Sequence, residues 1–130
     1  MKKITLFLVA GAMLLVMAAG IAVAQAALDT IAGTNGPDTL PGTAMNDTIQ
    51  GRGGDDDISG LAGNDTLIGG SGGDTIDGGE GDDSINGKKG RDTITDTDGG
   101  DEDRVVGGRG GDTINVADGD FDDVVRCGKG

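Results

Sequence analysis

Gly69-Gly-Ser-Gly-Gly-Asp-Thr-Ile-Asp77 runs without a break into Gly78-Gly-Glu-Gly-Asp-Asp-Ser-Ile-Asn86. Laid one over the other, these nine-residue units match glycine at the first, second and fourth places, Asp74 with Asp83 at the sixth, and Ile76 with Ile85 at the eighth. Working outward, the apolar eighth place recurs as Ile31, Leu40, Ile49, Ile58, Leu67, Ile76, Ile85 and Ile94. An Asp stands two residues before each: Asp29, Asp38, Asp47, Asp56, Asp65, Asp74, Asp83 and Asp92. After Ile94 the phase slips by two residues to Asp103 and Val105, returns to nine at Asp112 and Ile114, and slips by one to Asp122 and Val124.

A period of nine is too short for a helix pair or a propeller blade, and glycine at this density is incompatible with helix. The pattern fits a tight turn of six residues followed by a three-residue strand whose middle side chain points inward. Glycine at the first and fourth places supplies backbone with positive φ, and triplets such as Asp-Thr-Ile carry the β-branched residues that suit a pleated surface. Two units close one coil, so the strands stack in two parallel sheets with the Leu/Ile ladder between them. The expected fold is all-β: a parallel β-roll, or β-solenoid, built from nine-residue Gly/Asp repeats. Composition alone, with 28 Gly in 130 residues and few large apolar side chains, reads as disorder. Periodicity overturns that reading.

These units resemble the glycine- and aspartate-rich nonapeptide of the RTX, or hemolysin-type, calcium-binding repeats. The resemblance is close from Gly33 to Thr95 and loose from there to Gly130. It implies that Ca²⁺ sits between turns stacked two units apart, held by the sixth-place Asp of each and by backbone carbonyls such as those of Gly51, Gly60, Gly69 and Gly78. The metal-binding residues so implied are Asp38, Asp47, Asp56, Asp65, Asp74, Asp83, Asp92 and Asp112. Many relatives join such repeats to a protease, lipase or toxin domain. No such domain is found among these residues, so those activities are not carried over.

The chemistry of the side chains agrees. Ca²⁺ takes six to eight oxygens at about 2.3–2.6 Å; glycine-rich turns expose carbonyls, and the short Asp arm reaches an ion close to the backbone. Glu would be a methylene too long, and of the 23 acidic residues only Glu80 and Glu102 are Glu. One edge of the roll carries Asp38, Asp56, Asp74 and Asp92, the other Asp29, Asp47, Asp65 and Asp83. The well-formed pairs are 38/56, 56/74, 74/92, 47/65 and 65/83, which calls for about five Ca²⁺ ions or more. A net charge of −13 repels itself until cations neutralise it. The metal-free chain is therefore expected to be unfolded.

Other chemistry is excluded by what is missing. Without His there is no imidazole base, His-ligated zinc or triad of the usual kind, and without Tyr or Trp there is little to stack on bases or sugars. Ser59, Ser71 and Ser84 lack a partner base. Asp96-Thr-Asp-Gly-Gly-Asp-Glu-Asp103 and Asp118-Gly-Asp-Phe-Asp-Asp123 look like the start of an EF-hand loop, but Gly107 and Lys129 stand where its bidentate Glu is required. They read as irregular turns, binding Ca²⁺ weakly or solvated. The seventh-place threonines face outward, and Asp57 and Ser84 interrupt them. Met45 replaces a fourth-place glycine, which makes Asp47 a weaker ligand. Cys127, the lone thiol, reads as packing at the end of the roll, the alternative being a reactive group.

At the start of the chain, Met1-Lys2-Lys3, the apolar run from Ile4 to Ala24 and Ala24-Gln25-Ala26 form a basic start, core and cleavage site. Gly11, Gly20 and the many Ala favour cleavage over an uncleaved anchor. The chain thus divides into a secretory signal peptide at 1–26, an N-terminal cap or degenerate turn at 27–32, a regular roll at 33–95, and degenerate repeats with the C-terminal end at 96–130. The expected product is a secreted, extracellular calcium-binding repeat protein, structural or buffering in role and not an enzyme. The alternative is a Ca²⁺-dependent cell-surface or matrix adhesion module, or an accessory to a separate secreted enzyme. Its partners are calcium ions, not nucleic acid and not, after cleavage, a membrane; no protein or glycan partner can be named from the sequence.

Overall fold

The computed structural model describes residues 15–16, 30–96, 102–116 and 124–128. The chain there forms strands and turns: β1 (Leu15–Val16), β2 (Thr30–Ala32), β3 (Thr39–Pro41), β4 (Thr48–Gly53), β5 (Asp57–Ala62), β6 (Thr66–Ser71), β7 (Thr75–Glu80), β8 (Ser84–Lys89), β9 (Thr93–Thr95), β10 (Arg104–Arg109), β11 (Thr113–Asn115) and β12 (Val124–Arg126). They hydrogen-bond into two parallel sheets, ordered β1-β2-β4-β6-β8-β10-β12 and β11-β9-β7-β5-β3. From β2 onward each strand pairs with the one two along, so alternate repeats feed alternate sheets and two repeats make one coil. This is the parallel β-roll expected from the period.

The eighth-place residues account for the core. Ile31, Leu40, Ile49, Ile58, Leu67, Ile76, Ile85, Ile94 and Val105 form one buried column, with Ile114 and Val116 packed against it. Within a sheet the ladder places like on like, as in Ile49 opposite Leu67 and Leu67 opposite Ile85. A β-branched or γ-branched side chain at every rung, about 4.8 Å from the next, fills the narrow space between the sheets.

Two features differ from expectation. Six strands, β4 to β8 and β10, are six residues long rather than three. Pairing continues through the first three places of the following unit, as in Arg52 opposite Gly70 and Gly53 opposite Ser71. A buried first-place glycine lets the backbone turn inward, and a second place at positive φ carries the ladder round the corner. Arg52, Leu61 and Lys88 take that conformation without being glycine, at φ of 78°, 77° and 76°.

The second difference is in the last coil. Counting along the sequence puts Val124 on the inward ladder, but Val125 lies opposite Val105 and Val124 opposite Arg104. The coils from Ile85 to Val105 and from Val105 to Val125 have the same length, so the hydrogen-bond register of the ladder is kept only if Val125 takes the inward rung. Among the described residues no coil stacks on the far side of β12, and Val124, Val125 and Cys127 are all exposed. The expected packing of Cys127 is thereby overturned.

Of the expected signal peptide, Leu15–Val16 runs parallel to Ile31 and Ala32 at the end of the larger sheet. The rest of 1–26, and Asp29 of the cap, lie outside the described residues. Among the described residues no helix is long and apolar enough to cross a membrane.

Stacking also sets what the turns tolerate. Gly90 has φ of 140°, and a Cβ there would overlap the Gly72 carbonyl of the coil below. Gly90→Ala is expected to push those neighbouring coils apart, whereas Ile76→Ala leaves a cavity costing about 2–5 kcal/mol. Denaturant unfolding in saturating Ca²⁺ measures both. A loss under about 1 kcal/mol for Ile76→Ala would contradict a column packed without gaps.

Candidate metal centre

Each sixth-place Asp closes a turn where the backbone enters a strand, and its N–H faces the coil above. The N–H of Asp38 donates to Oδ1 of Asp56 (2.9 Å), Asp56 to Asp74 (3.0 Å), Asp74 to Asp92 (3.0 Å) and Asp92 to Asp112 (3.1 Å). On the other edge Asp47 donates to Asp65 (2.7 Å), Asp65 to Asp83 (2.7 Å) and Asp83 to Asp103 (2.8 Å). All eight implied residues therefore stand in two stacks, and the five pairs anticipated from spacing are neighbours. Asp103 joins the second stack, although the sequence reading left it out. The step to it is 20 residues, as is the step from Asp92 to Asp112, because the phase slip after Ile94 lengthens both coils.

The second carboxylate oxygen has a different environment. Oδ2 of Asp56, Asp65, Asp74 and Asp92 is buried and accepts no hydrogen bond from the protein. Each instead lies beside a first-place glycine, in a cradle that a Cβ would fill. A Cβ on Gly51 would meet Asp56 Oδ2 and, at 2.6 Å, the Gly69 carbonyl; one on Gly69 would meet Asp74 Oδ2 and, at 2.9 Å, the Gly87 carbonyl. The carbonyls of Gly51, Gly60 and Gly78 take the corresponding places beside Gly33, Gly42 and Gly60. Anionic and carbonyl oxygens thus converge where no donor reaches them. A buried carboxylate oxygen without a donor is costly, and a hard divalent cation that prefers oxygen removes that cost. The residues fit Ca²⁺.

The two ends of the stack depart from this plan. At the first turns Oδ2 is already satisfied: Asp38 receives Thr34 N–H (2.5 Å) and Oγ1 (3.0 Å), and Asp47 receives Thr43 N–H (2.6 Å) and Oγ1 (2.9 Å). Threonine at the second place does there what a cation would do elsewhere. At the other end Asp96 occupies a first place, where the regular units have glycine, and is fully buried. A Cβ on Gly78 would meet Asp96 Oδ1 at 2.6 Å and Asp83 Oδ2 at 2.7 Å. Asp83, Asp96 and Asp103 bring carboxylate oxygens within 4.8 Å of one another. The stretch read as an irregular turn, binding Ca²⁺ weakly or solvated, begins and ends with buried carboxylates; residues 97–101 and 117–123 lie outside the described residues.

Burial governs the charge state. It pushes the carboxyls of Asp56 and Asp65 from the ordinary 3.8 up to about 6, against the backbone N–H that each accepts, with neighbouring carboxylates adding to the rise. Asp74 and Asp92 are raised for the same reasons. A carboxyl with a higher pKa folded than unfolded holds its proton more tightly when folded. Its contribution to metal-free stability is present below pH 3.8 and lost as pH rises through about 6. In chelator, lowering the pH from about 7 to 4 is expected to increase strand content. In Ca²⁺ the dependence inverts, because proton and cation compete, and affinity falls as the pH drops below about 6. Circular dichroism and calcium titrations across this range test both arms; an affinity independent of pH would argue that these oxygens are not ligands.

Comparison with known proteins agrees with this geometry. The family model for the RTX calcium-binding nonapeptide repeat, four copies long, matches residues 32–67, 41–76 and 59–94. No curated protein and no solved structure matches significantly. The matched residues hold β3 to β8, the start of β9 and most of both aspartate stacks. Fold, register and family match coincide on the same residues, and residues 32–94 are RTX calcium-binding nonapeptide repeats.

Proposed function

We propose that this is a secreted protein whose roll forms when Ca²⁺ enters the aspartate stacks, and that it serves as a structural or calcium-buffering module outside the cell. The observation that carries this reading is the row of buried Oδ2 atoms on Asp56, Asp65, Asp74 and Asp92, each facing a glycine cradle and none accepting a hydrogen bond. In this reading the ligands are Asp56, Asp65, Asp74, Asp83, Asp92 and Asp112 with turn carbonyls, together with Asp96 and Asp103, while Asp38 and Asp47 contribute least because their Oδ2 atoms already accept from Thr34 and Thr43. About five ions or more fill the two stacks. No catalytic step is included: the buried carboxylates serve as ligands, and the chain has no His to act as base. The basic start and apolar run of residues 1–26 support export, and calcium near millimolar outside the cell suits sites of modest affinity.

A calcium titration followed by circular dichroism tests the coupling. The expected result is a coil spectrum in chelator and a strand spectrum once Ca²⁺ reaches roughly 10⁻⁴ to 10⁻³ M, with Mg²⁺ a poor substitute because it keeps its water and demands a smaller shell. Folding is expected to be cooperative, since each coil templates the next. A folded protein in chelator at neutral pH, or equal folding in Mg²⁺, would overturn the proposal.

The stacks also differ in what each Asp serves. Asp74→Asn, in the middle of a stack, is expected to raise the midpoint calcium concentration more than Asp38→Asn, whose Oδ2 already has Thr34. Asp96→Gly, which restores the regular glycine, is expected to lower the number of ions bound in equilibrium dialysis. Equal effects of the first two substitutions would contradict the role given to Thr34.

A further inference from the structure

Charge is sorted between the two sheets. The strands of the seven-stranded sheet carry Arg52, Lys88, Lys89, Arg104, Arg109 and Arg126 and no acidic residue. Those of the five-stranded sheet carry Asp57, Asp77 and Glu80 and no basic one. All six cations are exposed, and none forms an ion pair with a described residue. In a chain of net charge −13 this is a local reversal of sign.

Four of the six cations also line a concavity. Across the outer face runs a groove of about 630 Å³ whose lining includes Arg52, Gly70, Ser71, Lys88, Lys89 and Arg109. Gly70 lies between Arg52 and Lys88 in the ladder, and Ser71, Lys89 and Arg109 form the adjoining rung. Arg52 and Lys88 are therefore two strands, about 10 Å, apart with only glycine between them. Both hold positive φ at a place that Gly70 and Gly108 fill without strain. The coil does not require a side chain there, and strained residues of this kind gather at binding sites.

We propose that this face binds a linear acidic polysaccharide, with Arg52, Lys88, Lys89 and Arg109 gripping its carboxylate or sulfate groups across the glycine floor. Charge complementarity selects an anion: the guanidinium fork pairs with two oxygens and the ammonium acts as a point charge. A shallow sheet face with no helix or projecting ribbon does not suit the grooves of duplex DNA, and the described residues include no Phe, Tyr or Trp on which single strands could stack. The inference rests on the calcium reading: until cations neutralise the aspartate stacks, the net charge repels any polyanion. Binding therefore requires Ca²⁺.

The test uses the full chain in saturating Ca²⁺ at low salt, with a heparin oligosaccharide as probe, titration calorimetry as readout and circular dichroism on the same samples. Binding is expected to weaken steeply as salt rises. Arg52→Gly with Lys88→Gly keeps the fold, since glycine is at ease at positive φ, and is expected to weaken binding on the order of tenfold and flatten the salt dependence by about one unit of slope per cation removed. Undiminished binding by that variant, or folded protein that does not bind, overturns this proposal alone. A chain unfolded in Ca²⁺ overturns it together with the calcium reading. Duplex or single-stranded DNA of matched charge bound as tightly as the oligosaccharide overturns the choice of partner. So does glycan-independent self-association lost in the same variant, which would make the acidic sheet of a second copy the occupant.

Discussion

A carboxylate buried with one oxygen hydrogen-bonded and the other facing carbonyls is the interaction on which this roll depends. Oδ1 of Asp56, Asp65, Asp74, Asp83, Asp92, Asp103 and Asp112 holds the N–H of the coil below, and so acts as backbone glue between turns. Placing it there drags Oδ2 into a space walled by a glycine and a carbonyl, where no donor can follow. A carboxylate in that position is unfavourable as an anion without a cation. The protein can relieve it with a proton, which explains the raised pKa values, or with a divalent ion. On the proposed reading the turns stack well at neutral pH only with metal bound, and folding and ion uptake become one equilibrium.

The ends of the stacks vary this one theme in opposite directions. Thr34 and Thr43 bring an N–H and a hydroxyl to Oδ2 of Asp38 and Asp47, so the first coil carries its own substitute for a cation. Asp96 does the reverse and adds negative charge to a place that is elsewhere glycine, beside Asp83 and Asp103. The two ends of the stacks therefore depend on cations to opposite degrees. The leading coil is the self-sufficient one, and in a fold where each coil is a template for the next that is a useful place for it.

The two-unit coil also explains how an acidic chain can present a basic face. Consecutive repeats point in opposite directions, so residues nine apart share neither sheet nor environment, while residues eighteen apart are neighbours. Arg52 and Lys88 lie far apart in sequence yet flank one glycine in the ladder. A side chain changed in one repeat alters one sheet only, which lets two faces of opposite sign coexist on a core of identical rungs.

By itself the sequence determined the period, the inward ladder and the sixth-place aspartates, because each follows from local spacing: nine residues per unit, two units per coil, one apolar residue per strand. Asp38 to Asp92 were legible as two stacks for that reason, and Asp112 could be added on the resemblance. The tertiary structure decided what breaks or crosses the period. Strand length depends on hydrogen bonds from the neighbouring coil, and so does the choice of Val125 over Val124 for the last inward rung. Asp103 lies above Asp83 only because a longer coil keeps the ladder in register. Asp96 is buried only because the same ladder turns its first-place position toward Gly78. A repeat read along one dimension cannot reveal these, since the contacts that fix them run at right angles to the chain.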